Sequence, residues 1–189
     1  MNKLYSSITV LILSFLFYNT APAQEKKSEF INTSLGIGMC APYDETDLTG
    51  TGFYAQGEYV YNLKSWFAFR PYAGIIIASG ESDEPGMEEY KIKSNAFLLG
   101  TKVRISAPIP YVAPFLESGI GLSVGSFQTY TPYTNLKKNG VLPHIPFSVG
   151  LALGRKHNVE IKFTYYYHST AEQFSGAMAA GLSFPLNNK

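Results

Sequence analysis

The side chains of this sequence best equipped for chemistry are two of its three histidines, His144 and His168. His168 is followed at once by Ser169 and Thr170, and then by Glu172. An imidazole beside a hydroxyl and a carboxylate is the raw material of ester hydrolysis, where a base takes the hydroxyl proton and an acid orients the base. Two imidazoles brought face to face could instead hold a metal ion or titrate together near neutral pH. The plainer alternative is a pair of polar side chains hydrating a rim. A second group, Glu58, Arg70, Lys102, Arg104, Glu117, Glu160 and Lys162, stands inside otherwise uncharged stretches. Charges in such surroundings need partners of opposite sign.

Other chemistries are excluded. Cys40 is the sole cysteine, so no internal disulfide and no cysteine-based metal cluster can form. It also lies too far along the chain to be a lipoprotein anchor. Gly36-x-Gly38 and Gly119-x-Gly121 sit within extended stretches, whereas a phosphate cradle needs a turn into a helix. A net charge of +1 offers no basic excess for nucleic acid. No cofactor is expected.

The elements that must position these residues announce themselves by strict alternation of apolar and small or polar residues, the period of a strand. Ile31, Thr33, Leu35, Ile37 and Met39 oppose Asn32, Ser34, Gly36 and Gly38 in the first segment. The pattern recurs until Met178, Ala180, Leu182 and Phe184 oppose Ala177, Ala179, Gly181 and Ser183 in the eighth. Brief connectors around Lys64, Ile109 and Lys156 alternate with longer polar ones at 44–51, 80–90, 128–143 and 169–175. Alternating short turns and long loops is the habit of membrane barrels, which cross with tilted strands of about ten residues. Absence of helical periodicity removes bundle and Rossmann folds. The expected fold is therefore all-β, an eight-stranded antiparallel up-and-down transmembrane β-barrel.

The first residues support export. Lys3, an apolar stretch at 8–18 too short to span a bilayer, and Ala21-Pro22-Ala23 read as a signal peptide over 1–23, leaving 24–189 as the barrel domain. An uncleaved amino-terminal anchor is the alternative. The expected location is the bacterial outer membrane, with the long loops outside.

Face chemistry separates a membrane barrel from a soluble one less cleanly. All seven mid-strand charges share the parity of the Gly, Ser and Thr positions, and in a soluble barrel that face would be the outside. The glycines on it suit a cramped lumen. Tyr59, Tyr61, Trp66 and Tyr111 gather near the short turns as an aromatic girdle would. If each hairpin pairs symmetrically about its short turn, Glu58 falls opposite Arg70, and Lys102 opposite Glu117 or one pair away. Glu160 and Lys162 lie two apart on one face. Every inward carboxylate then has a basic neighbour, which predicts a lumen charge network plugging the barrel, against an ion-conducting pore. The same arithmetic sets His144 opposite His168 at the outer mouth.

Pro114-Phe115-Leu116-Glu117-Ser118-Gly119-Ile120-Gly121-Leu122 and Ala179-Ala180-Gly181-Leu182-Ser183-Phe184 resemble the central glycine-rich strand and the closing strand of the OmpA-like and OmpX-like outer-membrane barrel proteins. Such proteins often end on an aromatic residue read by the assembly machinery. Here Phe184 is followed by Pro185 and further residues, which displaces that signal. The resemblance implies a monomer, assembled by the barrel assembly machinery and surrounded by outer-membrane lipid and lipopolysaccharide. Its external loops would bind a ligand or stabilise the envelope. Asp44, Glu45, Asp47, Glu81, Asp83, Glu84, Glu88 and Glu89 could hold divalent cations that bridge lipopolysaccharide, or simply keep the rim soluble, while Lys137 and Lys138 make the third loop basic. Tyr167-His168-Ser169-Thr170 also resembles the His-x-Ser motif of the lipid A deacylases. It departs from that motif at Thr170, and no acid follows Glu172. Three functions stay open: a non-enzymatic barrel, a lipid hydrolase at the outer leaflet, and a small pore.

Overall fold

A computed structural model describes residues 29–44, 46–82, 85 and 88–186. The expected signal peptide lies outside them. Eight strands follow one another along the chain: β1 (Glu29–Pro42), β2 (Gly50–Lys64), β3 (Phe67–Glu81), β4 (Lys91–Ser106), β5 (Val112–Tyr130), β6 (Asn135–Leu153), β7 (Val159–Tyr167) and β8 (Gln173–Pro185). Each pairs antiparallel with the next, and β8 returns to β1, so the sheet closes into a barrel. Closure leaves no free edge along the shared length of the strands.

Alternation along every strand sorts the side chains onto two faces. Leu35, Ile120, Val149 and Met178 point outward and are exposed, and Ile120 reaches 72%. Between Glu29 and Lys64 at one end and Glu81 and Lys93 at the other, the outward positions of the described strands carry no charge. The inward face holds the seven mid-strand charges, none more than 5% exposed. This inside-out distribution removes the ambiguity left by parity: the charged face is the lumen, and the uncharged face is what a hydrocarbon layer would meet. Of the expected girdle, Tyr59, Trp66 and Tyr111 are exposed outward.

Two features differ from the sequence expectation. The expected third loop at 128–143 is mostly strand, because β5 runs to Tyr130 and β6 starts at Asn135, leaving only 131–134 as a turn. Asn135, Lys137, Lys138, Asn139 and Gly140 are polar or small on both faces, so this stretch lacks the alternation that a half-buried strand shows. The second difference is the register of β2 on β3. Glu58 stands opposite Tyr72, not Arg70, because the turn is centred on Ser65 and Trp66 and a bulge intervenes between Asn62 and Lys64.

Candidate functional site

The lumen is filled in two storeys. Near the short turns, the seven charges form one ion-pair network. Glu58 accepts from Arg70 Nε at 2.5 Å, from Lys102 Nζ at 2.9 Å, from Gln56 Nε2 at 2.5 Å and from Lys162. Although Arg70 is two residues off the expected register, its side chain is long enough to reach Glu58. Lys102 also donates to Glu117 at 2.8 Å, and Arg104 Nε, directly opposite Glu117 in the ladder, donates to it at 2.6 Å. Lys102 thus sits one pair away from Glu117, facing Gly119. Arg104 forks onto both oxygens of Glu160 at 2.7 and 2.8 Å, with Arg70 on the same carboxylate at 3.3 and 3.4 Å. Arg104 also lies over the Phe115 ring, 3.5 Å from its centroid. Strands β2, β3, β4, β5 and β7 all contribute, so the network bridges the barrel's cross-section. Arg70, Lys102, Arg104 and Lys162 face only Glu58, Glu117 and Glu160, which leaves one cation in excess among these seven.

Above it, toward the long loops, a chain of neutral polar groups runs among buried apolar side chains such as Ile76, Leu98 and Phe127, with no carboxylate of the described residues in it. Tyr72 Oη lies 2.5 Å from His144 Nε2, His144 Nδ1 lies 2.7 Å from Ser123 Oγ, and Ser123 Oγ lies 2.8 Å from His168 Nε2. The two imidazoles lie across from one another as the hairpin arithmetic predicted, meeting edge-on at an interplanar angle of 65° with ring centroids 5.5 Å apart. They are not at the mouth, however. His144 and His168 are 3% and 1% exposed, roofed by Phe127, whose ring centroid is 4.6 Å from that of His168. The correction follows from the long β5–β6 hairpin, which carries the barrel wall past the level where a loop was expected.

Proton counting constrains this chain. Ser123 has one hydroxyl proton and two imidazole nitrogens to satisfy, so it donates to one ring and accepts from the other. Each imidazole can be neutral, and the line ends on His168 Nδ1, a buried atom with no hydrogen-bond partner among the described residues. Tyr54 and Tyr166 both donate to Gln56 Oε1, at 2.7 and 2.6 Å, and Gln56 in turn donates to Glu58 below, which links the two storeys. Close packing is built into the backbone: a Cβ on Gly121 would collide with His144 Nε2 and the Tyr72 hydroxyl.

The hydrolase candidates are not brought together. His168 directs Nε2 at Ser123, which is fully buried, while Ser169 and Thr170 are exposed in the turn after β7. Glu172 is exposed as well, with a left-handed backbone at φ 49°. No group of three or more potential metal ligands occurs among the described residues. Sequence reasoning missed Tyr72, Ser123, Tyr54, Tyr166 and Gln56. Their only signal was inward parity, which neutral residues share with mere filler.

At the outer end, Asp44 in the first long loop accepts from Thr131 Oγ1 at 2.5 Å, at the tip of the β5–β6 hairpin, and from the Thr46 amide at 3.1 Å. Burial pulls the Asp44 carboxyl upward, but the hydrogen bonds from Thr131 and Thr46 outweigh it and hold the group below the ordinary carboxylate range. This member of the acidic loops is therefore a strap between two loops. Glu45, Asp83 and Glu84 lie outside the described residues.

Comparison with solved structures places this geometry among outer-membrane barrels. Neisserial surface protein A matches with a TM-score of 0.56 and 12% identity over 82% of this chain and 95% of its own. The outer membrane protein OprG from Pseudomonas aeruginosa matches with a TM-score of 0.51 and 10% identity, over 84% of this chain and 97% of its own. The outer membrane enzyme PagL aligns over 83% of this chain and 99% of its own with 12% identity, but its TM-score of 0.46 is too low to bear on chemistry. No protein-family model and no curated protein matches the sequence. At these identities the likeness is one of fold, the small eight-stranded barrel of the outer membrane.

Proposed function

We propose that this chain is a non-enzymatic barrel of the bacterial outer membrane, closed to ions, that presents a binding surface at its outer end. One observation carries the reading: seven buried charges tied across the barrel by ion pairs, with no more than 5% exposure at any of them. Opening a path would separate charges whose unpaired burial costs about 3–5 kcal/mol each. The barrel is then an anchor, and selective contact falls to the outer wall and loops. Outer-membrane lipid and lipopolysaccharide surround it, the barrel assembly machinery inserts it as a monomer, and cleavage after Ala23 precedes insertion.

Fractionation with a heat-modifiability gel tests residence, and planar-bilayer recording tests closure. The expected result is a heat-modifiable band in the outer-membrane fraction and no discrete conductance steps. A soluble periplasmic protein would overturn the membrane reading, and reproducible single-channel steps would overturn the plug. Mass spectrometry of lipid A from cells with and without the protein should show the same acyl pattern. Loss of an acyl chain would restore the hydrolase.

A further inference from the structure

The outward face of β4, β5 and β6 changes chemistry in ordered rows, as their shared register shows. Leu99, Leu122 and Pro143 lie side by side, followed outward by Phe97, Val124 and Val141, and then by Asn95, Ser126 and Asn139. The next row is Lys93, Gln128 and Lys137. Two apolar rows, one amide and hydroxyl row and one cationic row follow the same order as a lipid read from tail to headgroup. The gradient is confined to this sector. Among the described residues, every lysine or arginine toward the long-loop end (Lys91, Lys93, Lys137 and Lys138) stands on β4 or β6. Lys91 faces Glu81 across the ladder, whereas Lys93 has only the neutral Ser79 and Gln128 beside it. The outer part of β6 pairs with β5 but leaves its other edge free, since its pairing with β7 begins at Ile145 and Tyr167. Its backbone can therefore offer hydrogen bonds beside Lys137.

Below the cationic row, the wall is hollowed. Ladder pairing of β5 with β6 lapses between Ser118–Phe147 and Gly121–His144, at Pro146, which has no N–H to give. A cavity of about 560 Å³ opens there, walled by Leu99, Ile120, Leu122 and Ile145 and floored by Gly100 and Gly121. From Leu99 to Lys93 is six residues, about 20 Å along a strand. At a tilt of ~40° this becomes a height of roughly 15 Å, half the ~30 Å hydrocarbon core. With the cations at headgroup phosphate level, the hollow sits where acyl chains of the outer leaflet end.

We propose that the outer wall of β4, β5 and β6 binds lipopolysaccharide through its lipid A, with phosphate at Lys93 and Lys137 and an acyl chain in the hollow between β5 and β6. The proposal rests on the membrane reading above, and it names the lipid contacted. The outer leaflet's anionic lipid with several acyl chains meets both halves of the site, whereas a soluble anion would use only the cations.

Native mass spectrometry of the full chain refolded in detergent provides the test, titrated with lipid A, with dephosphorylated lipid A and with phosphatidylglycerol. Lipid A should bind most tightly. Lys93→Gln with Lys137→Gln should weaken it ~30-fold, the share of two cations at an anionic lipid surface, and leave dephosphorylated lipid A unchanged. Leu122→Trp, which fills the hollow, should weaken both forms. Equal binding of phosphatidylglycerol, or of lipid A by wild type and the lysine variant, would overturn the site. Heat-modifiability of each variant establishes that it has folded. Fractionation of the wild type is scored separately, so failure of lipid binding and failure of membrane residence give different results.

Discussion

The two storeys of the lumen solve one problem by opposite means. The lower storey fills a narrow barrel with full charges, each carboxylate shared among several cations. The upper storey uses neutral groups, and one hydroxyl joins two rings. A shared carboxylate provides redundancy for Arg70 and Lys102, which keep second partners, but not for Lys162, which pairs with Glu58 alone. A single hydroxyl provides none, but its groups cost less to leave unpaired. The lower storey should therefore fail hard only at its most shared anion, and the upper storey moderately at its one joint.

Glu58→Gln is the largest break in this comparison. It removes the carboxylate on which Arg70, Lys102 and Lys162 converge, leaving two carboxylates for four cations. Urea unfolding of the refolded barrel should show a loss of about 3–5 kcal/mol. A loss below about 1 kcal/mol would mean that water reaches the network, and the plug would have to be abandoned.

Ser123→Ala tests the upper storey. It strands His144 Nδ1 and His168 Nε2 together, with the loss set by unsatisfied neutral groups at about 1–3 kcal/mol. Ser123→Thr, which keeps the hydroxyl, should recover part of it. A loss as large as that of Glu58→Gln would erase the distinction between the storeys.

Lys162→Met sharpens the account of the excess cation. Glu58 would keep Arg70 and Lys102, and charges would then balance three to three, so stability should stay within about 1 kcal/mol of wild type. A Lys and a Glu from the same network would thus differ severalfold in cost.

The same contrast governs what the sequence made legible. The lower storey could be read because charges are rare in the middle of these strands, and the seven found there share one parity that alternation alone assigns. Its pairing was approximate. A bulge at Asn62–Lys64 moved the β2–β3 register, yet long side chains forgave the shift and Arg70 still reached Glu58. His144 facing His168 was legible because β6 and β7 keep one register from Leu153 to Ile145. Their burial was not, since it depends on strand at 135–140, where residues on both faces are mostly polar or small and the period-two signal vanishes. Ser123 was illegible for a third reason. A small inward hydroxyl looks the same whether it joins two rings or merely fills space.

The smallest expected effect lies at the rim and is conditional on pH. In the folded barrel the Asp44 carboxyl sits below its ordinary range, held there by Thr131 and Thr46 against the upward pull of burial. A group with a depressed folded value adds stability above its unfolded pKa of about 3.9, and loses it as pH falls through the lower folded value. Because Asp44 is only half-buried, solvent screening limits the strap to a few tenths of a kcal/mol. The urea midpoints of wild type and Asp44→Asn should therefore differ slightly at pH 7 and converge in strong acid. The lumen network, sealed from water, should still favour wild type over the Glu58→Gln variant under the same titration, down to the point where the barrel itself opens. If Asp44→Asn matched wild type at pH 7, the loops would be untethered, and the stability of the outer end would rest on the β5–β6 hairpin alone.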